Sequence, residues 1–244
     1  MSTSLKLGHS SANIPKMSTS AAIRARKTRA ASEQPEPRAK QVRNPALTKE
    51  KILAAAKAEF SAVGLGGARI DSIAERAQVN KRLIYEYFEN KDQLFQSVLE
   101  EAWRGIREAE AELDLQHLSP TEAIKKLMTF TWDYYLKNPD FMSLVNSANL
   151  HRARHIAHSE RFKELHVGFI DMLQNILDRG VTAGEFRPGV DARQLHITLA
   201  AIAYYYLNNR YTNEVIFGFS FIDKDKRAER LAFNIDTVLR ILAP

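Results

Sequence analysis

From residue 48 onward, apolar residues recur at three- and four-residue spacing along almost the whole chain, which predicts an all-α protein. Ile70, Ile73, Ala74 and Ala77 form one helical stripe. Val79 then begins a turn, and Ile84 with Phe88 resumes an i, i+4 stripe on a second short helix. Two apolar stripes separated by a single turn must pack on each other. Asn80 suits the start of the second helix, where its side-chain oxygen can take a backbone N–H that has no helical partner. That helix turns Lys81, Arg82, Tyr85 and Glu86 away from the Ile84 and Phe88 face, a geometry that can enter a major groove. A further helix opens on Asn90, paired with Gln93 as in a capping box. Lys91 at its first position brings a cation and free amides to one phosphate-sized space.

Upstream, Thr48 is expected to cap a helix carrying Ile52, Ala55, Ala56 and Phe60, with Gly64 as its stop. The pattern therefore divides the chain into a tail (1–44), a three-helix helix-turn-helix head (45–92) and a helical ligand-binding and dimerisation body (93–244). Leu94, Phe95, Val98, Leu99, Ala102 and Ile106 carry the head's last helix into the body. Further helices are expected over 120–138, 139–151, 159–180, 191–213 and 223–242, punctuated by Pro120, Pro139, Gly184 and Pro188. The apolar run 214–222 is ambiguous. Leu199 to Leu207 is apolar nearly all round, whereas Leu231, Ile235, Val238 and Leu242 form a single stripe. A helix apolar on every side needs covering on every side; in a monomer the body would have to do that alone, whereas in a two-fold homodimer a four-helix interface can supply the cover.

Composition narrows the classes. A chain of 244 residues, 45% of them hydrophobic, can bury a sizeable core. It has no cysteine, so disulfides and thiolate metal sites are excluded, and no run approaches the length of a transmembrane helix; a reducing cytoplasm fits. Residues 1–48 hold nine Lys and Arg against Glu33 and Glu36, a surplus of seven that exceeds the +6 of the whole chain. That tail is rich in Ser, Ala, Pro and Arg without helical period and is expected to be disordered. It reads equally as an arm that follows duplex DNA and as a solubilising extension, with a transit peptide as a third reading. The start Met1 to Ser4 recurs as Met17 to Ser20, which offers Met17 as an alternative translation start.

Candidate chemistry is sparse. The sequence has no GxSxG, Walker loop or HExxH, so no catalytic residue, metal site or cofactor is assigned. The body collects Trp103, Met128, Trp132, Asn146, Asn149, His166 and Phe169, large apolar groups with a few amides and an imidazole, as an enclosed small-molecule site requires. The same residues also describe an ordinary helical core. On one continuous helix His151, His155 and His158 would share a face, interleaved with Arg152 and Arg154. A solvated junction, anion recognition and a metal site all fit that trio, and the arginines oppose the last.

From Ile52 to about Val98 the chain resembles the DNA-binding domain of TetR-family transcriptional regulators. Phe60, Gly64, Ile73-Ala74, Val79, Lys81, Tyr85, Phe88, Lys91 and Leu94 stand where the family pattern expects them. The resemblance implies operator contacts from Lys81, Tyr85, Tyr87 and Lys91, with Arg82 and Leu83 on the same recognition helix. Gln78 stands where the turn usually has Gly, so a left-handed backbone is expected there at a cost of about 1 kcal/mol. Ala68 and Arg69 replace the usual Ser or Thr cap of the preceding helix, with Asp71 compensating through the helix dipole. Asn80 replaces the usual Ser, and Arg82 a common Gly, which adds a potential guanine reader.

The run AYYYLNNRYTNEVIFG is similar to the branch of this family associated with catabolism of nucleobases and aromatic acids. The resemblance thus implies a homodimeric repressor, released from double-stranded palindromic operator DNA by a small-molecule effector, aromatic or nucleobase-like, with no membrane partner. The alternative is a constitutive DNA-binding or architectural protein without an inducer.

Overall fold

The computed structural model describes residues 44–244, which form one compact unit. The basic tail, its possible contact with DNA and the alternative start at Met17 lie outside the described residues. Ten helices make up all the regular structure among the described residues, in agreement with the all-α expectation.

Helix α1 (Pro45–Gly67) is capped by Asn44, whose Oδ1 accepts from the amides of Ala46 and Leu47 at 3.1 and 3.3 Å. The cap is therefore Asn44 and not Thr48, whose hydroxyl instead donates to the Asn44 carbonyl. Pro45 explains the shift, since proline at the first helical position has no N–H to satisfy and moves the cap one residue before it. Gly64 breaks the helix as expected, at φ 68° and ψ 173°. The groups freed by that break are satisfied from elsewhere in the fold. Ser147 Oγ accepts from the Leu65 amide at 2.9 Å, and Lys91 Nζ donates to the carbonyls of Leu65 and Ala68 at 2.9 and 3.2 Å.

Helices α2 (Ile70–Ala77) and α3 (Lys81–Phe88) meet across a turn in which Gln78 is left-handed, φ 56° and ψ 42°. Arg69 offers no side-chain cap to α2. Asn80 caps α3 through the Arg82 amide at 2.8 Å, and Asn90 caps α4 (Lys91–Ala111) through Gln93 at 2.9 Å. Ile52, Phe60, Ile73, Ile84, Leu94 and Phe95 are fully buried among these helices, and Phe60 meets Phe95 edge-on at 5.0 Å. Each such side chain contributes about 1.5–3 kcal/mol by leaving water.

Helices α5 (Pro120–Lys137), α6 (Pro139–Leu150), α7 (Glu160–Thr182), α8 (Ala192–Asn208), α9 (Arg210–Phe217) and α10 (Lys224–Leu242) form the body. Helix α6 lies against α1, so the head's core extends to Phe141, Met142 and Leu144. A second core joins α5, α7, α8 and α10 around Ile124, Leu127, Leu173, Leu195 and Val238. The expected helix over 191–213 is divided in two at Asn209, and the ambiguous run 214–222 supplies the end of α9 and a loop opened by left-handed Gly218. The histidine trio does not share a helical face. Residues 151–158 form turns, with Arg152 and Ala153 left-handed at φ 57° and 52°. No helix among the described residues is long and apolar enough to cross a membrane.

Two substitutions test this packing. A Cβ at Gly180 would sit 1.9 Å from Cδ2 of buried Phe186, so Gly180→Ala is expected to cost about 1–3 kcal/mol in denaturant unfolding. Lys91→Met removes the charged donor from two carbonyls at the α1 break and is expected to cost about 1.5–3 kcal/mol.

Candidate functional site

The exposed face of α3 carries the first group of candidate residues. Ile84 and Phe88 are buried, and Lys81, Arg82 and Tyr85 on the opposite side are exposed. Leu83 and Tyr87 are half-buried at the edges of that face. Lys81 Nζ lies 3.1 Å from the Asp71 carboxylate in a solvated pair, a contact that contributes little by itself and leaves the ammonium free to exchange partners. Arg82 donates to no carboxylate among the described ion pairs. The face is therefore a short helix with two cations and a phenol hydroxyl in solvent, held rigid from behind by two buried side chains. Lys91 lies beside it at the start of α4, half-buried, with its ammonium occupied by the two α1 carbonyls.

The candidate ligand residues do not all converge. Trp103, His166 and Phe169 gather around one point on α4 and α7: the Trp103 and His166 rings are 4.7 Å apart, and Phe169 meets His196 edge-on at 4.8 Å. Met128 is buried in the same core as Phe169. Trp132 packs elsewhere, against Tyr206 at 5.4 Å. Asn146 lies on the exposed side of α6, where it accepts from the Tyr204 hydroxyl and donates to Asn208. Asn149 donates back to the Val145 carbonyl of its own helix.

The centre of the converging group is a pair of charges. Arg107 lies over the Phe169 ring at 4.1 Å and the Trp103 ring at 5.7 Å, and its Nη1 is 2.7 Å from Oε2 of Glu110. Both side chains are more than nine-tenths buried. Their contact is close without being aligned as a hydrogen bond: Arg107 Nε and Nη1 and Glu110 Oε2 are all buried with no hydrogen-bond partner. Burial pushes the Glu110 carboxyl up to about 7 against the opposing pull of Arg107, and burial lowers the Arg107 guanidinium. Desolvation outweighs attraction for both partners. The same surroundings keep imidazoles neutral, with His196 lowered to about 4 by burial and then by Arg107.

A cavity of 630 Å³ opens beside this pair, lined by Arg107, Glu110, Leu115, Leu165, Phe169 and Met172 among others. Such a volume lies in the range of small-molecule sites. Neither Arg107 nor Glu110 was a candidate from sequence alone. The signal that marks them is position: Leu99, Ala102, Ile106 and Glu110 follow one buried stripe of α4, so a carboxylate stands where the period calls for an apolar side chain.

The histidine segment forms a separate, shallower site. His155 is buried, its ring edge-on to Phe95 at 5.4 Å and its Nδ1 3.8 Å from Asp92; burial lowers its pKa. His151 Nδ1 lies 2.8 Å from the Ser147 carbonyl, and His158 is exposed. Among the described residues no group of His, Cys, Asp or Glu is arranged to hold a metal ion.

Comparison with known proteins agrees with both halves. Residues 52–98 match the family described as bacterial regulatory proteins, tetR family, and residues 120–238 match the tetracyclin repressor-like C-terminal domain. The HTH-type transcriptional repressor NicS of Pseudomonas putida is 35% identical over 193 residues, 79% of this chain and 91% of that protein. Among solved structures, a bacterial regulatory protein in the tetR family from Rhodococcus RHA1 superposes with a TM-score of 0.63 at 16% identity, covering 80% of this chain and 97% of the other. FadR from Bacillus subtilis, solved in complex with stearoyl-CoA, gives 0.57 at 18%, covering 80% and 97%. Likeness at that identity concerns the fold, whereas the two matched domains and the repressor relative concern ancestry. The chain belongs to the TetR family of transcriptional regulators.

Proposed function

We propose that this DNA-binding repressor works as a homodimer on a palindromic operator and is released when a small molecule fills the cavity beside Arg107 and Glu110. The observation that carries the DNA-reading half is the α3 face, on which Lys81, Arg82 and Tyr85 stand in solvent while Ile84 and Phe88 anchor the helix from behind. In this reading Lys81, Tyr85 and Tyr87 meet phosphates, Arg82 and Leu83 meet base edges, and Lys91 spends its remaining donor on the backbone. Double-stranded operator DNA puts the protein in the compartment that holds the chromosome.

The dimer rests on an apolar face that nothing within the described residues covers. Ile197, Ala201 and Tyr205 form an exposed i, i+4, i+8 stripe on α8, and Phe233 and Ile241 share an exposed side of α10. Tyr205 and Phe233 are each 61% exposed and line one groove. The stripe of Leu231, Ile235, Val238 and Leu242 faces the other way, into the core, so α10 has an apolar face for each side. A second copy seated on this surface sets the distance between two α3 helices, and reading successive major grooves requires about 34–36 Å.

Release is mechanical. Helix α4 starts at the head's Asn90 cap and reaches Arg107 and Glu110 four turns later, so a ligand that favours one position of its far end also selects one position of the head. Converting a mostly competent population to a mostly incompetent one takes about 5.5 kcal/mol of differential affinity. FadR, solved in complex with stearoyl-CoA, is a precedent for a small molecule bound by a protein of this fold. A constitutive binder without effector has no use for a cavity floored by a guanidinium whose hydrogen bonds are incomplete, which favours the inducible reading.

Selection from randomised duplexes is the direct test, with an inverted repeat as the expected product and no enrichment as the contrary one. Tyr85→Phe is expected to weaken cognate and random DNA by a similar factor. Arg82→Ala should instead erode discrimination at one base pair by about 1–3 kcal/mol; equal losses on both DNAs would remove it from base reading. Tyr205→Glu combined with Phe233→Glu is expected to yield monomers in sedimentation and to abolish tight operator binding; a surviving dimer would place the interface elsewhere.

A further inference from the structure

The cavity beside α4 has an acidic rim and a single cation. Glu112, Asp114 and Glu164 are exposed at its edge, while Arg107 is buried at its floor with Nε and Nη1 unpartnered. A buried guanidinium normally completes its hydrogen bonds, and its planar donors match a carboxylate or a phosphate; beside Glu110 and an acidic rim the singly charged carboxylate is the less repelled of the two. The one carboxylate near it, Glu110, lies close but out of line, and its own Oε2 is unpartnered. Aromatic rings hold the guanidinium in place: Phe169, which also lines the cavity, at 4.1 Å, and Trp103, behind the lining, at 5.7 Å with His166 against it.

Resting on the effector-released reading above, we propose that the cavity takes a small aromatic carboxylate, which pairs with Arg107 while Glu110 takes up one proton. The ring of the ligand lies against Phe169, Met172 and Leu115, which line the cavity. Its carboxylate supplies the aligned acceptor that Arg107 lacks. The proton balances the charge: one anion enters, one carboxylate is neutralised, and the net charge of the floor does not change. Without that proton, two carboxylates would face one guanidinium inside an acidic rim, which strongly disfavours both remaining ionised.

The groups around Glu110 leave it as the titrating member near neutral pH. On its own helix it faces Arg107, and from α5 it faces Tyr134 and Tyr135, both raised by burial, Tyr135 to about 12. From α7 His166, and from α8 His196, are lowered by burial and stay uncharged. Glu112, Asp114 and Glu164 are solvated at the rim. The free protein holds the Glu110 proton up to about pH 7, and a bound anion holds it further. The complex therefore carries more protons than the free protein above pH 7, so affinity falls as pH rises there and levels off below.

Calorimetric titration of the full chain with benzoate, benzamide and benzylamine tests this. Benzoate is expected to bind at least about ten times more tightly than benzamide, and benzylamine not at all. Benzoate affinity should drop by about tenfold per pH unit above neutrality, with close to one proton taken up per ligand as judged from buffers of different ionisation enthalpy. Glu110→Gln, a neutral mimic, should remove the pH dependence and keep benzoate binding. Arg107→Met should lose benzoate, and a thermal melt of that variant separates lost binding from lost folding. Benzamide or benzylamine equalling benzoate, pH-independent benzoate binding, or no binding of any of the three would each overturn the proposal. Operator selection with the unsubstituted protein, run in parallel, reports on the repressor reading independently of any of these results.

Discussion

One helix joins the two jobs of this molecule. Helix α4 begins at the Asn90 cap, sends Leu94 and Phe95 into the core of the reading head, and ends in the body with Arg107 and Glu110. At 1.5 Å per residue, its 21 residues span about 30 Å without a proline or an internal glycine kink in its dihedrals. A helix packed at both ends resists bending in its middle, which is the property the proposed release mechanism draws on. The expected boundary between head and body falls inside this helix, which is why the two share a core instead of meeting at a linker.

The surroundings of α4 differ in kind at the two ends. In the head, tightly interlocked apolar groups such as Phe60 and Phe95 leave little freedom. In the body the packing is held together partly by a guanidinium stacked on aromatic rings and a carboxyl whose protonation is finely balanced. Burying such a pair is a poor way to gain stability, since well-packed apolar residues would serve as well or better. Its presence on the core stripe of α4 is thus best understood as a cost borne for recognition, and it coincides with the cavity.

Much of this was legible in the sequence because local chemistry determined it. The caps at Asn80 and Asn90 and the break at Gly64 follow from residues a few positions apart, the left-handed Gln78 follows from the family resemblance, and all are present. Thr48 lost the α1 cap to Asn44 because Pro45 fixes the first helical position. The histidine trio failed as a shared face because two left-handed residues interrupt the helix, and nothing about Arg152 or Ala153 announces that conformation. Phosphate contact by Lys91 was inferred from its place at a helix start, but carbonyls brought from 23 and 26 residues away compete for the same ammonium. Among the ligand candidates, Trp103, His166 and Phe169 meet and Asn146 and Asn149 do not, since residue type says nothing of which side of a helix faces a cavity. Arg107 and Glu110 escaped notice because their charges resemble those of any solvated face.

The turn between α6 and α7 has a mechanical meaning. Helix α6 is riveted to the head, where Ser147 holds the Leu65 amide, whereas α7 supplies a wall of the cavity. Between them run nine residues outside any helix, two of them in a backbone well that side chains disfavour by roughly 1 kcal/mol each. Such a segment has the form of an expansion joint: under the release proposed above, a filled chamber would push α7 outward without prying α6 off the head.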